Sequence, residues 1–207
     1  ELADYTVKAF EIADKYRVVV MLLGDGYLGQ MAEPCVLPES VVSIPEKPWA
    51  ITGKTADRDA NILMSLKLGK DDAYLNRHVR SLEENYNIIA ENETMYENFM
   101  CDDADVVLCA YGTSARVCKK AVKLLRESGV KAGLFRPITL WPFPGKELEK
   151  ACTNAKKILT VEMSLGQMVQ DVKLNSGKKT SDVEFYGEPG GIIPKLDVIV
   201  EKVKSYV

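Results

Sequence analysis

An aspartate between two glycines, Gly24-Asp25-Gly26, follows an apolar run and is the first candidate for metal chemistry in the sequence. A carboxylate at such a turn can give an oxygen ligand to a hard cation such as Mg²⁺, which needs further oxygen ligands. The stretch where an asparagine would complete the set, Ala50-Ile51-Thr52-Gly53, has none, and Asn61 lies too far along. We therefore favour a tight turn that uses the backbone freedom of glycine and assign no metal ligand.

A candidate anion site lies at Tyr111-Gly112-Thr113-Ser114, between a predicted strand and a predicted helix. Exposed N–H groups at a helix N-terminus, together with the helix dipole, can hold a phosphate or another small anion. The glycine-rich fingerprints of nucleotide-binding proteins are absent from the sequence. Capping of the helix by the Thr113 or Ser114 hydroxyl is therefore favoured over a ligand site at Gly112, Thr113 and Ser114.

A loop rich in proline, Arg136 to Pro144, follows the second predicted strand of the C-terminal half and carries Trp141 and Phe143. Ligands and partners of open α/β sheets gather at the carboxyl ends of the strands, where this loop lies. Contact of Trp141 and Phe143 with a partner and simple covering of the core are equal alternatives. The Arg136 guanidinium could hold a carboxylate of an adjoining domain or subunit.

Glu162 follows the third predicted strand and lies at the same edge of the sheet. It is either a polar site residue or an acid that stabilises the N-terminus of the next helix. Capping is the favoured interpretation.

Nucleophilic and metal-binding side chains give no further candidate. The only histidine, His78, lies in a pattern typical of an exposed helix, which disfavours a Ser–His or Cys–His pair. The cysteines form no CxxC pair, so iron–sulfur or zinc ligation by this chain is not expected, and free thiols indicate a reducing compartment. These cysteines are Cys35, Cys101, Cys109, Cys118 and Cys152. We assign no catalytic residue.

Composition excludes several function classes. A net charge of −3 without a basic cluster disfavours binding to nucleic acid or to an anionic membrane surface. No apolar run approaches the ~20 residues of a membrane-spanning helix. The first residues do not read as a signal peptide, so a cytoplasmic location is expected.

The elements that must position these residues alternate regularly from Asp103 onward. Apolar runs with helical segments between them predict a parallel, or mostly parallel, sheet with right-handed crossovers and helices on both faces, an α/β fold. The predicted strands are Val106–Ala110, Val130–Phe135, Ile158–Val161 and Val183–Tyr186. The predicted helices start near Thr113, Lys146, Met168 and Pro194.

The first hundred residues have a different character. An amphipathic helix is predicted around Val7 and Phe10, followed by a strand buried on both faces from Arg17 to Leu23. One helix and one strand cannot close a core, so this segment is expected to be the tail of a domain. A proline-rich linker from about Glu33 to Thr55 precedes a long helix with one apolar face, predicted within Asp57 to Phe99.

Several stretches together resemble the α subunit of 2-oxoacid:ferredoxin oxidoreductases, and this resemblance spans nearly the whole chain. Those after residue 100 are similar to the branched-chain, or 2-oxoisovalerate, type. The stretches are Ala13–Arg17, Gly24–Met31, Ala110–Arg116, Arg136–Pro144, Val161–Met168 and Tyr186–Gly191.

The resemblance implies three regions. Residues 1–32 are the C-terminal tail of a pyrimidine-binding domain, 33–102 a linker with the long helix, and 103–207 a transketolase-C-terminal-like domain. It implies a complex that converts a branched 2-oxoacid and coenzyme A into the acyl-CoA and reduces ferredoxin.

The resemblance also implies where the cofactors lie. Thiamine diphosphate, Mg²⁺ and iron–sulfur clusters belong to the full complex, which includes a β subunit and an iron–sulfur subunit. The activating glutamate lies upstream of this chain, so the chain alone is expected to bind no cofactor and to provide assembly and homo-oligomer contacts. The alternative is a free-standing α/β module that binds a small anion at Gly112-Thr113-Ser114.

Overall fold

The computed structural model describes residues 1–36, 46–47, 49–50, 53–54 and 73–207. Two compact units divide the chain: Glu1–Leu22 with Glu33–Glu91, and Leu23–Ala32 with Asn92–Val207. Most of the predicted linker, and the first part of the predicted long helix, lie outside the described residues. None of the described helices is long and apolar enough to cross a bilayer.

The second unit is built on a five-stranded sheet in the order β1-β3-β2-β4-β5. β1 pairs with β3 in antiparallel fashion, and the other neighbours are parallel. The sheet is therefore mostly parallel, as predicted. Its strands are β1 (Tyr96–Phe99), β2 (Val106–Cys109), β3 (Ala132–Pro137), β4 (Lys157–Glu162) and β5 (Val183–Gly187).

Helices cover both faces of this sheet. Successive residues of β2 alternate between two buried clusters because side chains along a strand point to opposite faces. The helices are α1 (Leu2–Tyr16), α2 (Gly26–Gln30), α3 (Tyr74–Asn92), α4 (Gly112–Glu127), α5 (Gly145–Ala151), α6 (Met168–Asn175) and α7 (Leu196–Lys204). Cluster 1 contains Val107 and Cys109 of β2 and is completed by α5 and α6. Cluster 2 contains Val106 and Leu108 of β2 and is completed by α4 and α7.

The strand predicted from Arg17 to Leu23 is wrong. The segment after α1 forms no strand, and most of its side chains are exposed, Val19 at 93% and Met21 at 73%. A strand needs a neighbour that completes its hydrogen bonds, and no described residue pairs with this run. The run has an apolar, β-branched composition, but composition alone supplies no pairing partner.

The sequence predicts that Tyr96–Phe99 ends the long helix, which is wrong, because these residues form strand β1. The described helix α3 ends at Asn92, and Tyr96 then stacks on Phe135 of β3 with ring centroids 5.5 Å apart. Glu97 of β1 forms ion pairs with Lys119 and Arg136. The sheet thus begins at Tyr96, ahead of the predicted start of the third region at residue 103.

Candidate functional site

The candidate residues of the second unit meet at one edge of the sheet. β2, β3 and β4 run parallel, so Thr113 and Trp141, which follow β2 and β3, and Glu162, the last residue of β4, lie at the same carboxyl edge. This edge is where ligands of open α/β sheets bind. The contacts of each side chain decide whether such a site exists here.

Asp25 lies in the sheet unit and contacts the start of α4. Its Oδ1 accepts a hydrogen bond from the Leu28 N–H at 2.9 Å, which caps α2. Its Oδ2 accepts hydrogen bonds from the Thr113 hydroxyl at 2.7 Å and the Thr113 N–H at 3.4 Å. Partial burial acts to raise the pKa of Asp25, but the hydrogen bonds from Thr113 and Leu28 outweigh it and hold the pKa below its usual value.

The predicted capping of α4 by its own hydroxyls is wrong. The N-cap residue is Tyr111, which makes no side-chain capping bond, and the Thr113 hydroxyl donates to Asp25 instead. Gly112 has a φ of 56°, and a Cβ there would lie 3.5 Å from Asp25 Oδ2. Glycine therefore permits the left-handed backbone at this position, whereas a Cβ would be in ordinary van der Waals contact with the carboxylate. The position at which Gly112, Thr113 and Ser114 would hold an anion is thus taken by a carboxylate of the chain itself.

Glu162 is 1% exposed, and hydrogen bonds to both of its oxygens fix it. Oε2 accepts from the Ser164 hydroxyl at 2.8 Å and the Met168 N–H at 3.0 Å, and Oε1 accepts from the Val169 N–H at 2.9 Å. The backbone donors belong to the first turn of α6, so the capping interpretation is confirmed. Met168 and Val169 also pack in cluster 1, which buries the carboxylate beneath the helix.

The charge of Glu162 affects neighbouring titratable groups, among them Tyr111 and Asp171. Burial first, and the Glu162 carboxylate second, raise the pKa of Tyr111 and of Asp171. Tyr111, Glu162 and Asp171 therefore lie close together near the carboxyl edge. Because Glu162 accepts hydrogen bonds from the start of α6, its role among the described residues is structural.

The two aromatic residues of the proline-rich loop have different surroundings. Phe143 packs on cluster 1 beside Tyr111 and covers the core. Trp141 is 62% exposed. Phe143 therefore covers the core, and Trp141, the more exposed of the two aromatic residues, is available for contact with a partner.

The Arg136 guanidinium pairs with a carboxylate of the same unit. Its Nη1 lies 3.2 Å from Glu97 Oε2, and Lys119 binds the other oxygen of Glu97. The hydrogen bond from Lys119, followed by the contributions of the Lys119 charge and Arg136, outweighs burial and holds the pKa of Glu97 below its usual value. The pair ties β1 to β3 and α4.

The buried thiols and the histidine give no candidate nucleophile at the carboxyl edge. Cys101, Cys109, Cys118 and Cys152 are free and buried, and Cys35 is free and exposed. Burial raises the pKa of Cys101 and of Cys152 to about 12, which keeps both protonated at neutral pH. His78 lies on α3, in the other unit.

The described residues do not fit a thiamine diphosphate and magnesium site. Asp25 accepts hydrogen bonds from the starts of two helices, and Asn61 lies outside the described residues. Within the described part of the chain, no group of three His, Cys, Asp or Glu side chains could hold a metal ion. The contact between Asp25 and Thr113 gave no signal in the sequence, because it joins residues far apart along the chain.

Comparison with known proteins agrees with this architecture. Residues 104–199 match the family model of the pyruvate:ferredoxin oxidoreductase core domain II. A 2-oxoglutarate:ferredoxin oxidoreductase from Magnetococcus marinus has the same fold over 66% of this chain and 24% of that chain, with a TM-score of 0.58 and 22% identity.

Two curated relatives extend the match to the whole chain. The ketoisovalerate oxidoreductase subunit VorB of Methanothermobacter marburgensis is 42% identical over 99% of this chain and 57% of its own length. The 2-oxoglutarate synthase subunit KorA of the same organism is 31% identical over 98% of this chain and 60% of its own length. The chain thus spans less than two thirds of these relatives. A likeness that runs along nearly the whole chain shows that the chain belongs to the 2-oxoacid:ferredoxin oxidoreductases, as part of a subunit.

Proposed function

We propose that this chain is the C-terminal part of the α subunit of a cytoplasmic complex that oxidises a branched 2-oxoacid such as 2-oxoisovalerate. The complex decarboxylates the 2-oxoacid, transfers the acyl group to coenzyme A and passes the electrons to ferredoxin. The observation that carries the proposal is the 42% identity to a ketoisovalerate oxidoreductase subunit along 99% of the chain.

Within that complex, the chain provides domain and subunit contacts and no cofactor chemistry. Thiamine diphosphate, Mg²⁺ and the iron–sulfur clusters belong to the rest of the α subunit, to a β subunit and to an iron–sulfur subunit. In support, Asp25, Glu162 and Arg136 are engaged in contacts inside the sheet unit. An anion-binding module gains no support, because Asp25 already accepts the hydrogen bonds of Thr113.

The exposed surfaces favour an assembly role. The run from Val18 to Leu23 has the composition of a buried strand, yet Val19 and Met21 are exposed. We assign residues 1–32 to the end of a pyrimidine-binding domain, of which Leu23–Ala32 belongs to the same compact unit as the sheet. The transketolase-C-terminal-like domain then begins ahead of the expected residue 103, because β1 belongs to its sheet, and Trp141 is exposed at its carboxyl edge.

The activity of the complete complex tests the proposal. The full-length subunit, purified with its β and iron–sulfur subunits, is assayed with coenzyme A and ferredoxin on 2-oxoisovalerate and on 2-oxoglutarate. We expect a kcat/KM at least about tenfold higher for 2-oxoisovalerate, the discrimination that one pocket contact can provide. A preference for 2-oxoglutarate would assign the chain to the other type of relative, and no turnover of either acid would contradict the proposed activity.

A further inference from the structure

The segment Leu23–Ala32, here called the strap, belongs to the same compact unit as residues 92–207. Its only regular element, α2, has five residues, none of them buried. A helix this short is unstable by itself, and an exposed one gains little from apolar packing. Directed polar contacts must therefore hold the strap on the sheet unit.

One carboxylate makes most of these contacts. Asp25 Oδ1 caps α2 through the Leu28 N–H, and Oδ2 accepts from the hydroxyl and the N–H of Thr113 in the first turn of α4. Hydrogen bonds to an ionised oxygen are stronger than neutral ones. The Arg116 guanidinium adds a longer contact to the sulfur of Met31, at 3.6 Å.

This arrangement suits an anchor and opposes a metal. The starts of α2 and α4 both direct N–H groups at Asp25, and the positive ends of their dipoles disfavour a cation there. A magnesium ion would also have to displace the Thr113 hydroxyl, which lies 2.7 Å from Oδ2.

We propose that Asp25 is a positioning residue that ties the strap to the N-terminus of α4. By capping both helices, it fixes where the chain enters the sheet unit. Gly112 makes the contact possible, since its left-handed backbone, with a φ of 56°, starts α4 where the carboxylate can reach Thr113.

Hydrogen exchange followed by mass spectrometry on the 207-residue chain tests this proposal. Thr113→Val removes the hydroxyl at nearly constant shape and leaves the α2 cap in place, while Thr113→Ser keeps a hydroxyl as the matched control. We expect Thr113→Val to speed exchange of strap amides about fivefold, the factor for loss of one cap. Exchange in peptides covering β2 and β4 should stay as in the unmodified chain, and Thr113→Ser should behave like the unmodified chain throughout.

A double variant and a metal titration complete the test. Asp25→Ala should release the strap further, and adding Thr113→Val should then change nothing, because the two residues act through one contact. Strap exchange in Thr113→Val equal to that of the unmodified chain, or additive effects in the double variant, would overturn the proposal. So would millimolar Mg²⁺ that slows strap exchange in the unmodified chain but not in Asp25→Ala.

Discussion

Two carboxylates near the carboxyl edge of the sheet, Glu162 and Asp25, accept hydrogen bonds from backbone N–H groups at helix starts. Such groups have no partner within their own helix, and a negative charge beside them is stabilised by the helix dipole. Both acids looked like candidates for site chemistry because each follows an apolar run. Their hydrogen bonds show that they shape the local backbone.

Glu162→Gln should lower the free energy of unfolding by about 1–3 kcal/mol, because the amide group cannot accept the bonds that one carboxylate oxygen now accepts. Urea unfolding followed by circular dichroism measures the change. Glu201→Gln, an exposed position on α7, is the control and should change stability by less than about 0.5 kcal/mol. Equal effects at the two positions would contradict the capping role of Glu162.

Thr160 gives the opposite expectation. Its hydroxyl is fully buried in β4 and has no hydrogen-bond partner among the described residues. Thr160→Val should therefore leave stability unchanged or raise it by about 1 kcal/mol, since a methyl group suits an apolar site better.

Thr139→Val is the matched comparison for Thr160→Val. The Thr139 hydroxyl accepts from the Met95 N–H at 3.0 Å, so its loss should destabilise by about 1 kcal/mol. The same urea unfolding assay serves both variants. A large loss for Thr160→Val would show that its hydroxyl has a partner in solution.

At the scale of elements, the sequence was most informative where strands are buried on both faces. The apolar runs that became β2 and β4 could be recognised because every residue between Val106 and Cys109, and between Ile158 and Glu162, is buried. β1 could not be recognised from the sequence, because Tyr96-Glu97-Asn98-Phe99 is half polar and lies at the sheet edge. Local composition could not reveal its pairing with β3, which depends on residues distant along the chain.

Strand β1 should contribute measurably to the sheet unit. We expect a fragment of residues 103–207 to fold cooperatively, because it keeps the four parallel strands and their helices. A fragment of residues 92–207 should be more stable by about 1–3 kcal/mol, from the Tyr96–Phe135 stack and the ion pairs of Glu97.

Circular dichroism of the two fragments in urea decides both points. An unfolded 103–207 fragment would show that the domain needs its edge strand. Equal stability would show that β1 adds no net free energy.

At the scale of the whole molecule, the exposed indole of Trp141 is the clearest candidate for a subunit contact. Trp141→Ala should weaken binding of the full-length subunit to the proposed β subunit by about 2 kcal/mol or more, the size of an aromatic hot spot. The melting temperature of the chain should hardly change, since the side chain is 62% exposed.

Phe143→Ala is the control for Trp141→Ala, because Phe143 packs on cluster 1. It should lower the stability of the chain by about 2 kcal/mol, less than the loss for a fully buried phenylalanine. A stability loss of that size for Trp141→Ala, with unchanged subunit binding, would show that the indole covers the core.

The central claim is that this part of the subunit is built for contacts and holds no cofactor. Isothermal titration calorimetry of the 207-residue chain with thiamine diphosphate and Mg²⁺ tests the claim most directly, with the complete complex as the positive control. We predict no binding to the chain, because Asp25 is bonded to two helix starts and no described cluster of ligands could hold the metal. Micromolar affinity of the isolated chain for thiamine diphosphate, dependent on Mg²⁺ and lost in Asp25→Ala, would contradict the account.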